Sequence, residues 1–523
     1  MSAKKSHEPW WQSAVFYQVY PRSFASSAQG GTGNLAGITA RLDYLAWLGV
    51  DAIWVSPFFR SPMADFGYDV SDYCDVDPMF GSLADFDALV AAAHARGIKV
   101  VIDWVASHTS DQHAWFQTAL REPDSVERGF YHFAKSTKDG APPNNWSCAF
   151  APGTPAWSPV NREAGNAAGT LYYLHSFLPQ QPDLNWHHPV LVERMHATLR
   201  FWLDRGVDGF RADVVHNLCK DATLADVDDH LSSVPHMLLN NQPETHARLR
   251  EIRQLLDSYD GNRAMVGEIF LLDGAQVASF YGDHNDELHM AFNFMPLYAP
   301  WEADAWKNCI RDVQANHEPR NAWPTWVLSN HDQRRHRSRY GGGEAEARAA
   351  AVLLLSLQGT PFVYQGEELG LLDADVPPEV AVDPGGRDGS RVPIPWTPDD
   401  GHGWSTPAWL PFAPESTTRN VATLRDDDRS ILHLYRALLT LRRDTPSLRN
   451  GVMELVDSDD SVLAFTRTLN GERILVLVNF SDSPRAHATA AGTRVVAASD
   501  SSVAPGIVFD GVVRPHQACI LRS

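Results

Sequence analysis

The sequence predicts an α/β chain: a (β/α)8 TIM barrel with a loop-rich insertion after its third strand and an antiparallel β domain at its C-terminus. Two observations predict it. Three times the chain runs from an amphipathic helix through a glycine into an apolar strand, in LAWLGVDAIWVSP at Gly49, VAAAHARGIKVVID at Gly97 and LRFWLDRGVDGFRAD at Gly206. Glycine accepts the left-handed conformation that ends a helix, and the short apolar run behind it fits a strand buried on both faces. In addition, four apolar stretches finish in charged or imidazole side chains: VVIDWVASH to His108, GVDGFRADVVHNL past Asp213, AMVGEIF at Glu268 and TWVLSNHDQ at Asp332. Parallel strands of a closed barrel gather their C-terminal ends at one face, so these residues are expected to meet there.

In order, a strand begins near Val15 and opens onto the loop Ala25 to Leu35, and a helix then runs to Gly49. Further strands are expected near Ala52, Lys99, Gly209, Ala264, Leu288, Thr325 and Pro361, which makes eight. The helix ahead of Gly97 starts with Ser82 and Asp85 in capping-box spacing. Residues 109–177 are aromatic and poor in periodicity and are expected to form a lobe over the site, with barrel on either side at 1–108 and 178–450. The acidic segment from Lys220 to Asp260 reads as a second wall. A last helix from Ser430 presents Ile431, Leu434, Tyr435 and Leu438 on one face, and 451–523 alternates as short strands.

Composition narrows the function. The chain has 523 residues, 44% of them hydrophobic, which suits one large domain with additions. Lys and Arg number 44 against 64 Asp and Glu, a net charge of -20 that repels phosphate polymers and makes nucleic acid an unexpected partner. The 17 Trp, 14 Tyr and 23 Phe are mostly core, but such faces also stack on pyranose rings. Five scattered cysteines argue against a disulfide framework or a zinc site. The N-terminus lacks the apolar core of a signal peptide and no run is long enough to span a bilayer, so a cytoplasmic enzyme without a membrane partner is expected.

The richest stretch is Gly206 to Leu218. Residues two apart on a strand share a face, so Arg211 and Asp213 point the same way, and a guanidinium beside a carboxyl favours its ionised form. That pair alone reads equally well as a structural ion pair or as an activated nucleophile.

With WWQSAVFYQVYPRSF, DFGYDVSDY, GTPFVYQGEELG, GRDGSRVPIPW and VLVNFSD, the four strand-end stretches resemble, in this order, the α-amylase superfamily, and within it the bacterial α-glucosidases and oligo-1,6-glucosidases. The resemblance implies an exo-acting retaining α-glucosidase on short oligosaccharides. By matching motif, Asp213 corresponds to the nucleophile, Glu268 to the acid/base and Asp332 to a third carboxylate that binds sugar hydroxyls. Asp213 is expected to be ionised by Arg211, and Glu268 to be kept protonated by apolar neighbours. His108 and His331 correspond to donors to substrate hydroxyls and Tyr68 to the floor of the first sugar subsite. Asp65 and Arg387 are expected to pair as its far wall. A glucosyl transferase or isomerase of the trehalose synthase kind shares these residues, whereas a non-catalytic interaction protein is expected to have lost one of the three acids.

Two positions depart from the family pattern. Where relatives carry an acidic calcium loop, Ser26 to Asn34 reads SSAQGGTGN, so neither a metal nor any other cofactor is expected. Ser107 stands where asparagine is usual, which is expected to loosen His108 or the junction with the lobe.

Overall fold

The computed structural model describes residues 9–27, 30–161, 168–271, 273–405 and 407–522. The N-terminal segment 1–8 and residues 28 and 29 of the Ser26 to Asn34 loop lie outside the described residues. Eight parallel strands form one sheet: β1 (Phe16–Val19), β2 (Ala52–Val55), β3 (Lys99–Val105), β4 (Gly209–Asp213), β5 (Ala264–Gly267), β6 (Met290–Ala291), β7 (Thr325–Val327) and β8 (Thr360–Tyr364). Their order is β6-β5-β4-β3-β2-β1-β8-β7. The seam between β6 and β7 is bridged by one side chain, because the Thr325 hydroxyl donates to Ala291 O at 2.9 Å and accepts from Asn293 N at 3.2 Å. Every expected strand is present, with starts displaced by at most two residues.

The three helix-ending glycines have the conformation the pattern requires, with φ of 101° at Gly49, 75° at Gly97 and 95° at Gly206. The Ser82 and Asp85 capping box forms on Leu83–His94. The helix expected up to Gly49 is instead two, Leu35–Ala40 and Leu42–Leu48, separated at Arg41, whose guanidinium lies 4.1 Å from the centre of the Trp396 ring.

Between β3 and the helix Pro189–Asp204 the chain makes a small sheet of Phe133–Lys135, Leu171–Leu174 and Trp157–Pro159. It has its own apolar cluster around Trp146, Trp157 and Tyr172. The loop after β4 is tied to it, as Trp146 Nε1 donates to Ala225 O and Asn145 Nδ2 to Val227 O, both at 2.8 Å. At the C-terminal end an antiparallel sheet holds β9 (Val452–Val456), β10 (Val462–Leu469), β11 (Glu472–Asn479), β12 (Arg494–Ala498) and β13 (Ala518–Arg522), in the order β9-β10-β11-β13-β12. Arg442, on the helix Ile431–Asp444, and Arg467, on β10, donate to Leu355 O, Ser356 O, Leu357 O and Gly359 O. They thereby satisfy the end of the helix Glu344–Ser356 and lock the β domain to the barrel. Among the described residues no helix is long and apolar enough to cross a membrane.

Behind the strand ends, Glu367 is buried with one carboxyl oxygen unpartnered, and burial pushes its carboxyl up to about 8. In the unfolded chain this acid ionises in the ordinary carboxyl range, so across the window up to about pH 8 the folded state holds the extra proton. Stability must then fall as pH rises through that window, by up to about 1.4 kcal/mol per pH unit. Glu367→Gln should flatten this slope in denaturant titrations between pH 5 and 8; an unchanged slope would show that Glu367 is ionised in the fold.

Candidate active site

The strand ends meet around one buried guanidinium. Arg211 on β4 donates through Nη1 to Asp103 Oδ1 on β3 at 2.8 Å and to its strand neighbour Asp213 Oδ1 at 2.5 Å. Its Nη2 lies 2.7 Å from Glu268 Oε2, one residue beyond β5. Both Asp213 and Glu268 are only 6% exposed. Immediately after Asp213 the chain reverses at Val214, whose φ of 35° is left-handed, an unfavourable conformation for a β-branched residue. The reversal lets Val214 N donate to Glu268 Oε2 at 3.1 Å.

Arg211 is therefore not private to Asp213, as the sequence alone suggested. One cation faces three carboxyls, and it can compensate only one of them. Burial drives the Asp213 carboxyl well above the usual range; Arg211 opposes this, while Glu268 and Asp103 reinforce it. Asp103 is likewise raised by burial, to about 6, against the pull of Arg211. The crowding of three carboxyls on one buried cation therefore favours a proton on this cluster.

A second ion-pair cluster faces the first across a pocket of about 320 Å³. Arg387 Nη2 donates to Asp65 Oδ1 and to Asp383 Oδ1, each at 2.6 Å, and its Nη1 donates to Asp332 Oδ1 at 2.9 Å. Arg391 adds bonds to Asp332 at 3.0 Å and to Asp383 at 3.2 Å. Burial works to raise the Asp332 carboxyl, but His331, Arg387 and Arg391 overcome it and hold it well below the usual carboxylate range. Two guanidiniums here serve three carboxyls, and they hold Asp332 and Asp383 low, whereas burial raises Asp65 against the pull of Arg387 and Arg391.

Tyr68 and the two histidines complete the base of the pocket. The Tyr68 ring stacks on His331 at 5.4 Å and 7°, and its hydroxyl lies 2.5 Å from His331 Nε2. The other His331 nitrogen accepts from Gln18 Nε2 at 2.7 Å. Burial lowers His331 to about 3 and His108 to about 4, so both rings are neutral. Ser107 does not loosen His108. Its hydroxyl lies 2.7 Å from Nδ1, and His108 Nε2 faces the Tyr68 carbonyl at 3.0 Å, which can only accept. Gln181 Nε2 lies 3.1 Å from the same His108 nitrogen, so the ring is held at both of its nitrogens with serine in place of asparagine. The junction with the lobe is also kept, because Leu184 N donates to Ser107 O at 2.9 Å.

The structure brings Asp65, Tyr68, His108, Asp213, Glu268, Asp332 and Arg387 to one pocket, with Arg211 and His331 directly behind it. The sequence reading missed Asp103, Gln181, Asp383 and Arg391. Gln181 is buried and donates to Asp65 Oδ2 at 3.0 Å, joining the lobe to the far wall. Asp103 sits at the middle of an apolar strand, where its charge was the available signal; Gln181, Asp383 and Arg391 lie outside regular strands, where spacing carries no direction. Among the described residues no group of three or more His, Cys, Asp or Glu side chains is arranged to hold a metal ion.

Residues 18–451 match the alpha-amylase catalytic-domain family. The chain is 42% identical over 506 residues to a probable alpha-glucosidase of Rhizobium meliloti (strain 1021), covering 90% of each chain. Among solved structures it is similar to an alpha-glucosyl transfer enzyme, XgtA, with a TM-score of 0.88 and 40% identity over 99% of this chain and 100% of that one. It is also similar to a trehalulose synthase, with a TM-score of 0.91 and 34% identity over the same shares.

Proposed function

The chain belongs to the alpha-amylase family, and on that footing we propose that it is a retaining, exo-acting α-glucosidase that removes terminal non-reducing glucose from short oligosaccharides. One observation carries the reading: the pocket that holds Asp213 and Glu268 is closed on its far side by the Arg387 and Asp65 ion pair. A buried wall of this kind, with Arg387 gripped through two further nitrogen contacts by Asp383, leaves room for one terminal sugar and stops a chain continuing past it.

In this reading glucose enters with its anomeric carbon over Asp213. The proton of the cluster passes to Glu268, which delivers it to the leaving oxygen. Asp213, now paired with Arg211, attacks from the opposite face and forms a β-glucosyl ester. Glu268 then takes a proton from water as it attacks, which restores both carboxyls. Asp332 stays ionised throughout and, with His108 and His331, binds sugar hydroxyls and favours the ring distortion of the transition state.

A related reading, glucosyl transfer or isomerisation, is favoured by the similarity to the transfer enzyme and the trehalulose synthase, and differs only in what attacks the ester. Incubation with maltose, maltotriose and amylose, followed by chromatography of the products, decides among these. Glucose released stepwise from maltose and maltotriose, with amylose almost inert, is expected. A non-reducing disaccharide as the main product would favour isomerisation, and rapid internal cleavage of amylose would rule out the closed wall.

The two acid roles are separable by azide. Asp213→Gly and Glu268→Ala should each lower turnover of an activated aryl α-glucoside by about 10³ or more. Azide should rescue Glu268→Ala with an α-glucosyl azide, since it attacks the β-ester, and Asp213→Gly with a β-glucosyl azide, since it attacks the substrate itself. The opposite pairing, read by NMR of the products, would reverse the assignment.

A further inference from the structure

The end of the barrel away from Asp213 holds a second cavity, of about 220 Å³, at the starts of β1, β2 and β3. Asp51 and Lys99 line its barrel side, Trp10 lines it from the N-terminal turn, and Arg442, Arg443 and Arg449 line it from the helices Ile431–Asp444 and Pro446–Asn450. Four cations thus surround a small space in a chain whose net charge is -20, and Asp51 is the one carboxylate among the described residues that line it.

These charges are not balanced within the protein. Lys99 Nζ is paired with Asp208 Oδ1 at 2.9 Å, and Arg443 Nη2 donates to Gly49 O at 2.5 Å and reaches Asp51 Oδ1 at 3.4 Å. The other Asp51 oxygen accepts from Val15 N at 2.9 Å. Among the described residues neither Arg442 nor Arg449 has a carboxylate in ion-pair contact. Arg442 is 1% exposed, and its two Nη atoms donate to the carbonyls of Leu355, Leu357, Leu448 and Gly359. Carbonyls satisfy those N–H groups but leave the charge without a counter-ion. The Nε of Arg442 has no hydrogen-bond partner, and neither has the Nε of Arg449, which is also shielded from solvent. Burial lowers the Arg442 guanidinium to about 10, with Asp51 opposing and Arg449 reinforcing, so it is still a cation at neutral pH.

Two cations without counter-charge beside an open volume are the complement of an oxyanion that carries two charges, and guanidinium forks match its oxygens. The volume lies below the roughly 300–1,000 Å³ of pockets that hold drug-sized ligands, so a nucleotide is too large. The half-buried Trp10, whose indole N–H is fixed on Asn262 O at 3.0 Å, adds an aromatic face on which a sugar ring can pack. We infer that this cavity binds a phosphate group, either inorganic phosphate or the phosphate of a small sugar monoester, at the end of the barrel opposite the active site. The bound group ties the starts of the first three strands to the helix that carries Arg442, and so acts on the stability of the fold and not on the reacting sugar.

The test is equilibrium dialysis of the full chain against radiolabelled inorganic phosphate at pH 8, with ionic strength held constant by sodium chloride. One phosphate should bind per chain. Arg449→Gln should weaken binding by about tenfold and Arg449→Glu by about a hundredfold or more, while both keep the melting curve of the unmodified protein in the absence of phosphate, because Arg449 has no ion pair to lose. Arg443→Gln, on the neighbouring helix, should weaken it by about threefold or more. Unlabelled glucose 6-phosphate should displace the label: displacement at a lower concentration than unlabelled phosphate assigns the site to the monoester, and weaker displacement assigns it to inorganic phosphate. Absence of saturable binding by the unmodified protein, or equal binding by it and all three variants, would overturn the inference, and neither result bears on the release of glucose from maltose.

Discussion

A single fully buried guanidinium organises the molecule. Arg211 draws together carboxyls from three neighbouring strands, Asp103 from within β3, Asp213 from the end of β4 and Glu268 from beyond β5. Because it compensates one negative charge among three, the cluster retains a proton, and that proton is what the proposed reaction uses. The left-handed Val214 belongs to the same arrangement, since without the reversal its N–H would not meet Glu268. Strain at that residue is offset by a buried hydrogen bond to a carboxyl.

The opposite side of the pocket is built on the reverse balance. Arg387 and Arg391 together meet Asp65, Asp332 and Asp383, and Asp332 is held ionised by two cations instead of a share of one. Two adjacent clusters with different ratios of cation to carboxyl thus shift Asp213 and Asp332 in opposite directions, while Asp65, the most buried of the second cluster's contacts with the pocket, is raised by burial. The lobe after β3 and the loop after β4 are fastened to this frame through Gln181, Ser107 and Trp146, so the pocket is shaped by segments with little regular structure of their own.

Much of this was legible in the sequence. Apolar runs placed all eight strands, three of them behind a glycine, because burial on both faces leaves a continuous signal and glycine marks the end of the preceding helix. The pairing of Asp65 with Arg387 came from a resemblance, not from spacing, since 322 positions separate them. The sharing of Arg211 was not legible: alternation along β4 puts Arg211 beside Asp213, but only the register of β3 and β5 against it brings Asp103 and Glu268 to the same guanidinium. Serine at 107 was misread for a related reason. Asparagine and serine differ in length, and whether the shorter side chain still reaches Nδ1 depends on the local backbone. The apolar turn at Pro235 to Leu238 has no periodicity, and its place at the pocket is set by His236 stacking on Trp146 about ninety positions earlier in the chain.

The central claim is that the crowding of Asp103, Asp213 and Glu268 around one buried cation keeps a proton on this cluster in the free protein. Infrared difference spectroscopy at pH 7 tests it most directly, by subtracting the spectrum of Asp213→Asn from that of the unmodified protein, so that carboxyls common to both, Glu367 among them, cancel. The account predicts a protonated-carboxyl carbonyl band that is present in the unmodified protein and lost in the variant. An unchanged carbonyl absorption in the two proteins would contradict it.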